Sequence, residues 1–127
     1  PAWLKADVLK RWPGGLVEGY GLTEGGATTT LIAHKFPDKL HTVGQPSPGH
    51  IMKIIDEDGN ELGPGEQGEL LVAGPSVASG YWEQPEETAR CIRGGYFHTG
   101  DLAVWDMPTL QVDRNGNVTR WNKITSD

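Results

Sequence analysis

Apolar residues recur at helical spacing over the first twelve positions, at Leu4, Val8, Leu9 and Trp12, with charged residues between them. That pattern predicts one amphipathic helix over Ala2–Trp12. Pro13-Gly14-Gly15 then ends it, because proline lacks the amide donor and glycine pays a large backbone entropy to stay helical. Leu16-Val17 is a short apolar step, expected as a strand, and it delivers the chain into Gly19-Tyr20-Gly21-Leu22-Thr23-Glu24-Gly25-Gly26. Four glycines in those eight residues predict a loop. From about Thr42 the pattern becomes that of short strands. Ile51 to Ile55 and Glu69 to Ala73 are apolar-rich runs bounded by the turn sequences Asp58-Gly59-Asn60 and Gly63-Pro64-Gly65, which predicts an antiparallel meander. Pro85-Glu86-Glu87-Thr88-Ala89-Arg90 places proline at a first helical position and acids in the first turn, the signature of a short helix set between strands. Leu110-Gln111-Val112 and Val118-Thr119-Arg120-Trp121 flank Asn115-Gly116, a strong hairpin signal. The fold class read from these elements is α+β: a short helix–strand piece, an antiparallel meander and a C-terminal hairpin.

Composition narrows the function. Among 127 residues, 18 glycines and nine prolines rule out long helices over most of the chain. A net charge of −6 has the wrong sign for holding nucleic acid through its phosphates, so no nucleic-acid partner is expected. The apolar runs are a few residues long, whereas a membrane-spanning helix needs about 20, so no span is expected. Cys91 is the one cysteine; it excludes an internal disulfide, suits a reducing compartment such as the cytoplasm, and reads as an inert small hydrophobe. His34, His41, His50 and His98 show no metal-ligand spacing, so no zinc site is assigned, and His98 is expected to shape its strand. Trp3, Trp12, Trp82, Trp105 and Trp121 could form a sugar-binding face, but their irregular spacing favours packing in the core or at its rim.

The glycine-rich segment carries more chemistry than a plain turn requires. Its glycines admit a ligand close to the backbone, Tyr20 offers a ring face, and Thr23 beside Glu24 joins a hydroxyl to a carboxylate. Such a set suits a nucleotide phosphate with its Mg2+, which takes hard oxygen ligands and usually one or two carboxylates.

Three segments in order, Tyr20-Gly21-Leu22-Thr23-Glu24, then Gly68-Glu69-Leu70 with Gly74 and Gly80-Tyr81-Trp82, then Phe97-His98-Thr99-Gly100-Asp101, resemble the motif series of the adenylate-forming acyl-CoA synthetase superfamily. The stretch Asp38 to Pro46 is similar to the CoA-ligase branch in particular. The resemblance implies ATP, Mg2+ and CoA as cofactor and co-substrates, with a small carboxylic acid as the other partner, the setting of fatty-acid activation. By position it implies that Thr23 and Glu24 are catalytic, Thr23 at the α-phosphate or the nascent acyl-adenylate and Glu24 at the metal. It further implies that Tyr20 lies against the adenine with Glu18 and Gly19 at its edge, that Asp101 takes the ribose hydroxyls, and that Gly21, Gly25 and Gly26 line the acyl side. Arg114 is the matching ribose or hinge candidate, although Asp113-Arg114 falls early for that motif and runs into the Asn115-Gly116 turn. Glu18 also departs from the family pattern, where glutamine or a small residue is common.

The family's phosphate loop with its lysine, and its C-terminal domain, have no counterpart in these residues. The chain is therefore expected to be a fragment, inactive alone, whose natural partner is the missing remainder of the same enzyme. Residues 1–34 would end the large N-terminal domain and residues 35–127 would form the barrel subdomain up to the hinge, which the resemblance implies is a distorted antiparallel barrel-like unit. Two alternatives are another adenylate-forming enzyme of the superfamily and a β-rich ligand-binding module without catalysis.

Overall fold

The computed structural model describes the backbone of residues 1–112 and 118–126, with the side chains of residues 1–106 other than Ala27. The chain is α+β. Helix α1 (Ala2–Arg11) is followed by an antiparallel sheet of β1 (Val17–Leu22), β2 (Gly26–Ile32) and β3 (Gln45–Pro46). A second antiparallel sheet holds β4 (Ile51–Ile55), β5 (Gln67–Ala73), β6 (Ile92–Arg93), β7 (Tyr96–Val112) and β8 (Val118–Ser126). Its order is β4-β5-β7-β6 with β8 paired to β7, and it curls as a half barrel. Helix α2 (Pro85–Cys91) is the excursion between β5 and β6, with Pro85 in its first turn beside Glu86 and Glu87. β7 and β8 pair antiparallel as the C-terminal hairpin, while its Asn115-Gly116 turn and Arg114 lie outside the described residues.

Helix α1 corrects the face read from the sequence. It stops at Arg11, and Trp12 is extended (φ −90°, ψ 130°) because the residue ahead of a proline is forced out of the α region. The core-facing stripe is Ala2, Ala6 and Leu9, each partly buried against Leu31, Ala33 and Leu40 together with Leu16 and Phe36. Positions i, i+4 and i+7 carry two alanines there, so the helix approaches closely. Leu4 and Trp12 are exposed, and Leu4 lines an open apolar groove with Val8, Leu16 and Val17. The tryptophans are corrected likewise: Trp105 packs on the core, but Trp3, Trp12 and Trp82 are exposed. Trp121 has no described side chain.

The main core is Met52, Ile54, Leu70, Val72 and Ala103, the alternate inward positions of β4, β5 and β7, with Tyr20, Val43, Leu62, Val77 and Trp105 packed around it. Lys39, buried in the short 3-10 turn Pro37–Lys39, is tied to β7 by its ion pair with Asp106 at 3.0 Å. Gly19 to Leu22, expected as loop, is strand: only Thr23, Glu24 and Gly25 turn, because β1 and β2 form a hairpin whose ladder accommodates glycine.

Two register faults shape the surface next to that core. In β2, Tyr20 pairs with Thr29 and Gly21 with Ala27, so Thr28 is an extra residue and spends its hydroxyl on the Tyr20 carbonyl at 3.0 Å. In β7, Glu69 pairs with Leu102 and Leu71 with His98, so Leu70 alone faces Thr99, Gly100 and Asp101. Thr99 Oγ1 donates to the Leu70 carbonyl at 2.7 Å and accepts the Asp101 amide at 3.1 Å, while the Gly100 amide reaches Glu69 Oε2 at 3.1 Å. Gly100 takes φ +75°, which only glycine adopts cheaply.

Replacing Leu70, which has no exposed surface, should cost about 2–5 kcal/mol as Leu70→Ala, whereas Trp82→Ala should stay within about 0.5 kcal/mol. Denaturant midpoints of the two variants check this. Gly44 (φ +94°) has the Thr30 carbonyl oxygen 2.1 Å from where a Cβ would sit, but Gly100 has open space. Gly100→Ala should therefore cost only the local strain of about 1–2 kcal/mol, and Gly44→Ala clearly more, in the same measurement.

Candidate functional site

Thr23 and Glu24 are the two central residues of a turn closed by the Gly25 amide on the Leu22 carbonyl at 3.2 Å. Their side chains leave the end of the β1–β2 hairpin, Thr23 exposed and Glu24 half-buried. The segment after β5 braces this turn. Ser76 Oγ donates to the Gly25 carbonyl at 2.9 Å and shares a 2.6 Å hydrogen bond with His50 Nε2. The Ala78 amide donates to the Glu24 carbonyl at 2.6 Å, and the Tyr81 hydroxyl donates to Glu24 Oε1 at 3.2 Å. Glu24 Oε2 is left without a hydrogen bond among the described residues.

Tyr20 and Asp101 meet although 81 positions separate them. The Tyr20 hydroxyl donates to Asp101 Oδ2, and the ring packs on the rim of the main core. Each residue lies beside one of the two register faults, Tyr20 on the regular inward side of β1 and Asp101 within the β7 bulge. Burial first, and then the bond to Asp101, push the Tyr20 phenol above its ordinary pKa, so it stays protonated and remains the donor. Asp101 is held at its own amide by Thr99, which fixes the carboxylate at the bulge.

The other residues singled out from the sequence fall as follows. Glu18 shares the inward side of β1 with Tyr20, but its carboxylate is paired with Lys5 of α1, whose ammonium also donates to the Thr42 carbonyl at 3.0 Å. Gly19 and Gly21 are on the exposed side of β1, Gly25 is buried in the turn, and Gly26 (φ +67°) opens β2 beside Ser76. His98 does serve its strand, placed between Glu69 at 3.2 Å and Arg93 at 3.1 Å. It borders a cleft of about 490 Å³ that contains none of the Tyr20, Glu24 or Asp101 side chains. Cys91 is a free thiol whose sulfur lies 3.6 Å from Glu87 Oε1.

Sequence reasoning missed Ser76, His50 and the hydroxyl of Tyr81. Tyr81 stood inside a quoted motif, but nothing in a linear spacing of 57 residues shows which of its atoms meets Glu24. The donor set suits Mg2+. A hydroxyl and a half-bonded carboxylate adjoin on one turn, no group of three or more His, Cys, Asp or Glu side chains clusters among the described residues, and Mg2+ needs few protein ligands when phosphate and water complete its shell. The same set would not hold zinc.

The family model described as AMP-binding enzyme matches residues 1–82. The long-chain-fatty-acid–CoA ligase of Salmonella typhimurium is 45% identical over 91 residues, covering 72% of this chain and 16% of that protein. A feruloyl-CoA synthase from Amycolatopsis is 40% identical over 110 residues, covering 84% of this chain and 22% of its own length. Among solved structures, the O-succinylbenzoate coenzyme A synthetase of Bacillus subtilis, in complex with ATP and magnesium ion, superposes with a TM-score of 0.78 at 25% identity over 99% of this chain and 24% of that one. The amide bond synthetase McbA from Marinactinospora thermotolerans gives a TM-score of 0.78 at 30% identity over 94% of this chain and 23% of its own. The chain thus spans about a sixth to a quarter of the length of the relatives it matches. With its turn, its bulge and its ordered motifs carried on that fold, the chain belongs to the AMP-binding enzyme family.

Proposed function

We propose that this chain is the nucleotide-facing part of an ATP-dependent acid–thiol ligase, whose whole polypeptide converts a carboxylic acid to its acyl-adenylate and then to the CoA thioester. The observation that carries the reading is the convergence of Tyr20 on Asp101 beside a turn that presents Thr23 and Glu24. The CoA-ligase naming of the relatives, 40–45% identical over most of this chain, supports it.

In the first step a carboxylate oxygen of the acid attacks the α-phosphorus of ATP and pyrophosphate leaves; in the second the CoA thiol attacks the acyl carbon, its proton is lost, and AMP leaves. Phosphoryl transfer of this kind depends on positioning and charge stabilisation more than on acid–base groups. Bound Mg2+ supplies positive charge to the phosphate oxygens. Glu24 would hold the ion, and the Thr23 hydroxyl would donate to the α-phosphate. Asp101 accepts from the ribose hydroxyls, for which a carboxylate with two acceptor oxygens is suited, and Tyr20 covers the adenine with Glu18 and Gly19 at the edge. Gly21, Gly25 and Gly26 leave room on the acyl side. Arg114 is retained as a ribose or hinge residue on the resemblance alone. The division at residue 34, the cytoplasmic location and the need for the rest of the enzyme belong to the same proposal. The chain's share of the relatives' length supports the last of these, and no helix among the described residues is long and apolar enough to cross a membrane.

ATP–pyrophosphate exchange on the full-length polypeptide, across short, long and aromatic acids, tests the reading. Glu24→Gln should lower exchange about 100-fold, the scale of one electrostatic contact to a developing charge. Asp101→Ala should raise the KM for ATP about tenfold or more, the scale of hydrogen bonds to an ionised group. Wild-type exchange in both variants, or acid binding indifferent to Mg-ATP, would favour the binding-module alternative.

A further inference from the structure

We infer that Tyr81 is a positioning residue for the Glu24 carboxylate: its hydroxyl holds Oε1 so that Oε2 faces the cation in a fixed orientation. The inference rests on the reading of Glu24 as the metal-holding carboxylate. It begins from the way Tyr81 itself is pinned. Its amide donates to Thr88 Oγ1 in α2 at 2.9 Å, and its carbonyl accepts the Gln84 amide at 3.3 Å. The intervening Glu83 takes φ +52°, a left-handed conformation that a non-glycine residue adopts at a cost, so the backbone here is bent tightly. Gly80 packs against Thr88 with no room for a side chain, since a Cβ would lie 2.7 Å from Thr88 Cγ2. Thr88 donates in turn to the Gln84 carbonyl at 2.8 Å. The phenol thus projects from a rigid base onto a glutamate that would otherwise be free to rotate about its χ angles.

The direction of the hydrogen bond is also fixed. An ionised carboxylate has no proton to give, so the phenol is the donor and the carboxylate the acceptor. Two further contacts from the same segment, Ser76 to the Gly25 carbonyl and Ala78 to the Glu24 carbonyl, hold the turn's backbone. Tyr81 supplies the side-chain contact that those two cannot. The segment between β5 and α2 therefore acts as a brace for the turn, and Tyr81 is its point of contact with the reacting region.

The test uses the full-length polypeptide and binding rather than turnover: calorimetric titration of a non-hydrolysable ATP analogue at a series of Mg2+ concentrations, for wild type, Tyr81→Phe, Glu24→Gln and the double variant. Tyr81→Phe should raise the Mg2+ concentration for half-maximal nucleotide binding about fivefold to tenfold, while affinity at saturating Mg2+ stays within about twofold. In the Glu24→Gln background the same change should add nothing, because the carboxylate it orients is gone. Thr88→Val, which removes the hydroxyl under the Tyr81 amide, should shift the Mg2+ requirement in the same direction by a smaller factor, and it serves should Tyr81→Phe fold poorly. A Glu24→Gln shift without a Tyr81→Phe shift, or equal Tyr81→Phe shifts in both backgrounds, overturns the positioning role and leaves Glu24 standing. An unchanged Mg2+ requirement in Glu24→Gln overturns the metal assignment itself, and the Tyr81 role with it.

Discussion

The hydrogen bond from Tyr20 to Asp101 ties the first sheet to the second, and the arrangement of the site depends on it. It forms because each strand breaks its register where the two sheets meet. β2 carries Thr28 as an extra residue opposite the Tyr20–Gly21 step, and β7 carries three residues against Leu70. A regular ladder would have sent alternate side chains to opposite faces and spread them along the strand. The β7 bulge turns Asp101 toward Tyr20, which stays on the inward side of a β1 whose alternation is unbroken. The cost in lost backbone pairing is offset locally by Thr28, Thr99 and Glu69, whose side chains take up the backbone groups freed at the faults.

Much of this was legible in the sequence, and the part that was not has a common cause. Short helix α2 announced itself through Pro85 and two acids, and the meander through apolar runs between Gly-containing turns, because those signals are local. The face of α1 was misread because two alanines, weak as hydrophobic signals, are what lets that helix approach Leu31 and Leu40. The glycine-rich segment looked like loop by composition, yet Val17–Leu22 is paired with β2 for its whole length, and pairing is a property of two segments rather than one. Tyr20, Glu24 and Asp101 could be chosen from ordered motifs, but not the bonds between them. Tyr20 to Asp101 and Glu24 to Tyr81 close over 81 and 57 positions, and bulges, which no periodicity reveals, decide where the first pair meets.

Because β1 is strand and not loop, it recognises a ligand differently from a glycine loop that wraps phosphate in backbone amides. Part of its amide complement is spent on β2, so the hairpin offers chiefly side chains at its turn and the open side of its glycines. At that turn the hydrogen-bonding neighbours among the described residues are His50, Ser76, Ala78 and Tyr81, with no lysine or arginine in the set. The carboxylate at that turn, Glu24, repels a triphosphate unless a divalent cation stands between them. On a chain of net charge −6, the acidic character of the site and its suitability for a phosphate ligand are compatible only through such an ion. Under the role proposed for Glu24, the orientation of a single carboxylate governs how well the nucleotide is held, and a neutral tyrosine donor suits it better than a lysine: a lysine would neutralise the carboxylate and weaken its hold on the metal, whereas a phenol fixes its direction and leaves its charge intact.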